Sequence, residues 1–342
     1  SLAGNPQPAP RYSRTVQLSG GETVSVADPD ITRAWVALMD MQAVLGGAAS
    51  HWGGPAAFAE LMSAVYGLAF REGQTHKQPW YERVQVINDA GHCENGIYAL
   101  KANYGFADLT VDSLKGFRSL HSQLTGHGES HLFPEGVYLS NGPLGSSLPQ
   151  AQGLAMADAL AGRQERVTVT AISDGGCMEG EAREALAAIP GLAAQGKLAP
   201  FVLLISDNNT KLSGRIDDQA FAMRPTFDSL ADLGWELVSL KDGHDLQQCV
   251  TTVEQALAQA RQQPQKPVAI HAQTIKGKGV KSTEQATTGG HGFPVKDPQQ
   301  IRPFIEEILG GAEWPSEVEI WVRSWKTLRS RTPPRRSMGL PG

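Results

Sequence analysis

Residues 167–176 read VTVTAISDGG and residues 201–210 read FVLLISDNNT. Each is a short apolar run that stops at a polar turn, Ser173-Asp174-Gly175-Gly176 in the first and Ser206-Asp207-Asn208-Asn209-Thr210 in the second. Runs that are largely apolar, without strict alternation, suit strands buried on both faces, as in a parallel sheet. Three more such runs occur at residues 84–87, 237–240 and 268–275. Amphipathic or Ala-rich stretches of helical length lie between several of them, at residues 148–161, 179–195, 226–233 and 246–262. Strand–helix alternation at this spacing makes βαβ units with right-handed crossovers. The expected fold is therefore α/β, an open mostly parallel sheet with helices on both faces.

Outward from this core, residues 30–45 show helical spacing, a small-residue break from Gly46 to Ser50 follows, and residues 55–70 read as a second helix. The first ten residues, with three prolines, read as a flexible lead-in. Beyond Pro298 the pattern weakens to one helix at residues 301–309, a segment containing Trp314, Trp321 and Trp325, and a linker-like end. The organisation expected is an extension (1–29), an α/β domain (30–298) and a C-terminal helix with a tail (299–342).

The 342 residues are 41% hydrophobic and 19% charged, an ordinary globular composition that excludes disorder, coiled coil and collagen. A net charge of −5 gives no reason to expect nucleic-acid binding, and no apolar stretch is long enough to span a membrane. Cys93, Cys177 and Cys249 are odd in number and far apart, which favours a reducing compartment and a cytoplasmic address.

Ligands of open α/β sheets bind beyond the carboxyl ends of the strands. The loops starting at Asn88, Ser173, Ser206 and Lys276 should therefore converge. Asp174 and Asn208, one crossover apart, would meet at one edge. A carboxylate, an amide oxygen and a main-chain carbonyl near Thr210 form a hard oxygen set suited to Mg²⁺ or Ca²⁺. Gly175-Gly176 lets the backbone approach a ligand, and a helix starting near Met178 would aim its amides at an anion. Metal and helix terminus together indicate a diphosphate site.

Ser173-Asp174-Gly175, followed after one crossover by Asp207-Asn208-Asn209, resembles the thiamine diphosphate motif. The surrounding chain resembles the amino-terminal, diphosphate-binding half of transketolases over residues 30–295. Further segments support this in order: Ser50-His51-Trp52-Gly53-Gly54, Ala90-Gly91-His92, Phe117 to His121 running into Gly126-His127-Gly128-Glu129, Asn141-Gly142-Pro143-Leu144-Gly145-Ser146, Leu233-Gly234-Trp235, Asp242-Gly243-His244-Asp245, and Gly289-Gly290-His291-Gly292.

The resemblance implies that thiamine diphosphate is the cofactor, with Asp174, Asn208 and the carbonyl of Thr210 holding Mg²⁺ or Ca²⁺ and Gly175 donating its amide to the diphosphate. Gly142, Pro143 and Leu144 would lie along the aminopyrimidine. Glu179 would meet a partner's cofactor-activating glutamate. His51, His92, His127 and His291 would surround the diphosphate and substrate channel, with His92 and His291 nearer the cofactor. Four of nine histidines in Gly-rich loops fit that reading, since neutral imidazoles exchange protons with sugar hydroxyls near pH 7. His76, His121, His131, His244 and His271 read as ordinary surface or core residues. Three departures stand out, the first being a spacing between the two halves of the motif that is longer than usual around Ala199-Pro200. Ser173 replaces the triplet's first glycine, tolerable if it keeps strand geometry and its side chain turns away, and Gly128 stands where a proline is common.

The implied activity is transfer of a two-carbon ketol unit between sugars or sugar phosphates. In the family a second, pyrimidine-binding domain supplies the activating glutamate, and residues 299–342 are too few for it. The expectation is a chain inactive alone, completed by a partner subunit or by the missing part of a longer protein, in an assembly of the α2β2 type, with an apolar contact along residues 179–195. The alternatives are a component of a 2-oxo-acid decarboxylating enzyme, of the deoxyxylulose phosphate synthase or pyruvate dehydrogenase first-component kind, and a non-catalytic, cofactor-binding regulatory subunit.

Overall fold

The computed structural model describes residues 1–311 and 313–325. Among the described residues seven strands lie in two sheets. β1 (Ser13–Gln17) and β2 (Thr23–Ala27) form an antiparallel hairpin. The central sheet contains β3 (Val84–Asn88), β4 (Val167–Ser173), β5 (Phe201–Asp207), β6 (Glu236–Leu240) and β7 (Val268–Gln273) in the order β3-β4-β5-β7-β6, with every pair parallel. All five expected runs are strands.

The helices of nine residues or more are α1 (Pro29–Leu45), α2 (Gly53–His76), α3 (Glu94–Asn103), α4 (Ser147–Leu160), α5 (Gly180–Ala194), α6 (Leu246–Gln262), α7 (Ile301–Leu309) and α8 (Ser316–Ser324). Side chains alternate across the sheet with the period of two that a strand imposes. Val202 and Leu204 join Val167, Val169 and Ala171 beneath α2 and α6. Phe201, Leu203 and Ile205 face the other way, with Ile172, against α4 and α5. Each buried Val, Leu, Ile or Phe among them contributes roughly 1.5–3 kcal/mol by leaving water. A third apolar cluster joins α1, α3, α7 and α8. All three cysteines are free and buried. Among the described residues no helix is long and apolar enough to cross a membrane.

Four expectations need correction. The stretch 226–233 is not one helix; it divides into Arg224–Asp228 and Leu230–Leu233 at Ser229. The last strand stops at Gln273, because the amide of Ile275 leaves the ladder for Nε2 of His244 at 2.8 Å. The lead-in is held down: Ala3 N–H donates to Glu135 O (2.9 Å), and Asn5 takes the amide of Trp80 (2.8 Å) and donates to Gln78 O (2.7 Å). Residues 316–324 form a helix that periodicity did not reveal, with Trp321 and Val322 buried and Trp325 buried just beyond it. The linker-like end, residues 332–342, lies outside the described residues.

Candidate functional site

The four loops at the carboxyl ends of the strands do converge, around a cavity of about 470 Å³. β4 and β5 are paired through Ser173 and Ser206, so the residues after them start level with each other. Asp174 is fully buried. Its Oδ2 accepts the amide of Asn208 at 2.9 Å and its Oδ1 the amide of Gly175 at 2.8 Å. The side-chain oxygen of Asn208 is buried and has no hydrogen-bond partner. Burial pushes the Asp174 carboxyl up to about 7, with the charge of Asp207 adding to the shift and the two amides opposing it. Burial also works against ionising Asp207, but its 2.7 Å contact with His271 Nε2 keeps that carboxyl below the usual range.

A buried carboxylate beside an unpartnered amide oxygen is an arrangement that a divalent cation would satisfy. Among the described residues no three His, Cys, Asp or Glu side chains gather to hold a metal. Any ion here must therefore draw on the amide and the main chain, as Asn208 and Thr210 allow. Thr210 is buried, and its hydroxyl accepts from Arg215 (2.8 Å) while donating to Asn208 O (3.0 Å).

Ser173 keeps strand geometry, but its side chain does not turn away. It lines the cavity and its Oγ accepts the amide of Gly176 at 3.1 Å. The chain then makes one 3-10 turn, Gly176–Met178, and α5 begins only at Gly180, with Glu179 at its N-cap. Glu179 is exposed and lines the cavity. Gly145, with φ of +84°, passes so near that a Cβ there would sit 2.5 Å from Glu179 Cβ. The exposed face of α5 is charged at first, with Glu181, Arg183 and Glu184, and small only from Ala187 on. Small exposed side chains, as the expected apolar contact requires, are thus present only in its second half.

The four histidines come together. The His51 ring lies 5.6 Å from His92, 6.0 Å from His127 and 5.2 Å from His291, and His92 is 5.3 Å from His291. Main-chain bonds bring the His51 and His291 loops into register: Trp52 N–H to His291 O (3.2 Å) and Gly53 N–H to Gly290 O (2.8 Å). Gly53 has no room for a side chain, since a Cβ there would fall 2.0 Å from Gly289 O. Burial drives the His51 imidazole down to about 4, helped by the charges of Arg118, His127 and Lys276. Burial and Lys276 take His291 to about 3. Burial and His291 hold His92 well below its usual range, and burial and Arg118 lower His127. All four are neutral at pH 7.

Gly142 and Leu144 line the cavity; Pro143 between them is exposed and does not. Their loop is tied to β3 by Asp89, which accepts the amides of Gly145 and Ser147, each at 2.9 Å. Leu144 and Leu212 leave apolar surface at the cavity, 36% and 69% exposed. The arrangement is a polar floor with an apolar border, suited to an amphipathic ligand with an anionic end.

Sequence reasoning assigned no role to Lys276, although its loop was among those expected to converge. Lys276 is buried and lines the cavity, with Nζ 3.1 Å from His291 Nδ1 and donating to Lys211 O at 3.2 Å. Burial lowers it to about 8, with Asp174 opposing, so it is largely charged at pH 7. A lysine directly after a buried run was the available signal. Asn141 and Glu94 were also missed as supports. The Asn141 amide donates to Glu94 Oε2 (3.0 Å) and its Oδ1 accepts Gly128 N–H (2.7 Å), and neither bond leaves a local pattern.

A family model described as "Transketolase, thiamine diphosphate binding domain" matches residues 31–310. Transketolase 1 of Pasteurella multocida is 30% identical over 295 residues, which cover 83% of this chain and 42% of that protein. A transketolase of Streptococcus pyogenes is 31% identical over 271 residues, 76% of this chain and 35% of that protein. A crystal structure of a Pichia stipitis transketolase variant superposes with a TM-score of 0.67 at 25% identity, covering 87% of this chain and 44% of that one. Transketolase from Leishmania mexicana gives 0.66 at 25% identity, with the same coverage. The chain spans about two fifths of the length of the curated relatives it matches.

Proposed function

The chain belongs to the transketolase thiamine-diphosphate-binding domain family, and from that premise we propose that it is the diphosphate-binding part of an enzyme transferring a two-carbon ketol unit between sugars, most simply sugar phosphates. Asp174, Asn208 and the carbonyl of Thr210 would hold Mg²⁺ or Ca²⁺, and Lys276 would meet the diphosphate. The amide of Gly175 would join it when a cation competes for Asp174 Oδ1. The observation carrying this is the buried, unpartnered oxygen of Asn208 beside the buried carboxylate of Asp174.

Thiamine diphosphate, when bound, supplies a nucleophilic carbon and an electron sink. The chain's own residues bind, orient and move protons. Gly142 and Leu144 border the place for the ring system. His51, His92, His127 and His291, neutral at pH 7, accept and return hydroxyl protons of the sugar. Glu179, exposed beside the cavity, would meet the activating glutamate of a second, pyrimidine-binding domain, supplied by a partner subunit or by another part of a longer chain. A symmetric assembly with two of each part would follow.

The test has two stages. Calorimetry should detect thiamine diphosphate binding that depends on Mg²⁺. Combined with a pyrimidine-binding half, the protein should transfer a two-carbon unit from a ketose phosphate to an aldose phosphate, and Asp174→Ala should abolish the transfer and the Mg²⁺ dependence of binding. Full activity in that variant refutes the metal assignment, and release of carbon dioxide from pyruvate in place of ketol transfer refutes the substrate class.

A further inference from the structure

Lys276 enters the cavity on a loop whose neighbouring amides are held one by one. Thr274 N–H donates to Asp207 O (2.8 Å), Gly277 N–H to Gly53 O (3.0 Å) and Gly279 N–H to Glu284 Oε1 (2.9 Å). The amide of Ile275 donates to a ring nitrogen, Nε2 of His244, at 2.8 Å. A backbone amide can only donate, so Nε2 must be the bare nitrogen and Nδ1 must carry the proton.

Nδ1 lies 3.0 Å from Oε2 of Glu60, a buried residue of α2. Both oxygens of Glu60 accept from Nη2 of Arg33, at 2.7 and 2.5 Å, and Arg33 is itself buried and fastened to Ala56 O through Nε (3.0 Å) and Nη2 (2.9 Å). Burial alone would favour neutral Glu60, but the charge of Arg33 and the hydrogen bond from His244 hold its carboxyl below the usual range, so it remains an acceptor. Apolar packing does not pin this point of the loop, because the Ile275 side chain is 41% exposed. The bond to His244 does.

We propose that His244 is a positioning residue for Lys276: Arg33 and Glu60 fix its ring as the Nδ1–H tautomer, and its Nε2 lone pair holds the amide that sets where the neighbouring ammonium group enters the pocket. The role in function rests on the reading that Lys276 meets an anionic headgroup. His244 touches no reacting atom. It acts through one backbone bond and does not itself line the cavity.

The probe is inorganic pyrophosphate with Mg²⁺, titrated by calorimetry into the full chain and its variants. Loss of one such bond should weaken binding about fivefold to tenfold in His244→Ala. His244→Gln, whose amide oxygen can stand where Nε2 stood, should stay within about twofold of the unmodified protein. The double variant His244→Ala/Lys276→Ala should bind no more weakly than Lys276→Ala alone, since residues acting as one unit are not additive. Additive losses overturn the proposal. Two readouts are independent of the ligand. Amide exchange at Ile275 should accelerate more than tenfold in His244→Ala, and imidazole ¹⁵N shifts of the unmodified protein should show a protonated Nδ1. Unchanged exchange in His244→Ala overturns the proposal, and so does the Nε2–H tautomer in the unmodified protein, which needs no variant at all. Equal pyrophosphate affinity in the unmodified protein and Lys276→Ala overturns the anion reading of the pocket. A full effect from Lys276→Ala with none from His244→Ala overturns only the positioning role.

Discussion

Asn208 donates its amide to Oδ2 of Asp174 at 2.9 Å, across 34 residues of chain. This main-chain bond holds the backbone of Asn208 at the carboxylate, while the buried side-chain oxygen of Asn208 has no protein partner. On the proposed reading, removing the carboxylate would remove one metal ligand and the main-chain anchor of the residue that carries the second. Asp174→Ala is therefore expected to weaken Mg²⁺-dependent thiamine diphosphate binding by about 100-fold or more, beyond the ~10–100-fold typical of outer-sphere changes. Calorimetry with and without EDTA checks this. In the variant, chelation should make no difference to the remaining affinity.

Gly128 and Asn141 exchange two bonds: Gly128 N–H to Asn141 Oδ1 (2.7 Å) and Asn141 N–H to Gly128 O (3.0 Å). A proline at 128 has no amide to give, so the departure at this position is matched by an amide side chain thirteen residues on. Asn141→Ala leaves the buried Gly128 N–H unpaired and takes one of two donors from Glu94 Oε2, which keeps Asn88 Nδ2, and should cost about 1–3 kcal/mol. Gly128→Pro should lose a comparable amount and displace His127, seen, in the assay with a pyrimidine-binding half, as a loss of the proposed ketol-transfer rate larger than the loss in cofactor affinity. Urea unfolding and steady-state kinetics separate the two effects. Equal stability in Asn141→Ala and the unmodified protein would show the bond to be dispensable.

These pairs mark where sequence reading stops. The strands were legible because apolar runs such as 201–205 are a local signal, and the site followed because the ends of parallel strands are the places where ligands bind. The meeting of Asp174 with Asn208 needed only one crossover. Glu60 with His244 is different: the partners lie 184 residues apart, and nothing near either predicts the other. Buried polar contacts of this kind obey no period, so His244 read as an ordinary histidine. Residues 316–324 were missed for a related reason, since their one buried stripe, Val318, Trp321 and Val322, is diluted by Glu317, Glu319 and Arg323.

The histidine cluster predicts how stability depends on pH. His51 is held at about 4 and His291 at about 3, below the ordinary value of 6.5. The unfolded chain therefore takes up protons that the folded one refuses. Stability is fully present above pH 6.5 and falls as the pH drops toward the folded values. Each imidazole contributes a slope of up to about 1.4 kcal/mol per pH unit, reduced by its partial exposure. Denaturant unfolding from pH 7 to 4 should show this decline, and His51→Gln should flatten it over the window between about 6.5 and 4. An unchanged slope in His51→Gln would mean the folded ring titrates normally.

Trp321 separates stability from site chemistry. It is 1% exposed in the cluster joining α1, α3, α7 and α8, and lies 6.0 Å from the ring of Trp325. Trp321→Ala empties that volume and should destabilise the protein by about 3–5 kcal/mol. Its Nε1 is buried without a partner, so part of the native packing gain is already offset by an unmet donor. Trp321→Phe discards that donor while keeping most of the ring, and should cost less than about 1.5 kcal/mol, near what a volume-conserving apolar exchange costs. Below the unfolding temperature both variants should keep the pyrophosphate affinity of the unmodified protein, because Trp321 lines no part of the cavity. Thermal scans and calorimetry on the same samples check the separation, and a Phe variant as unstable as the Ala variant would show that the indole N–H does find a partner in solution.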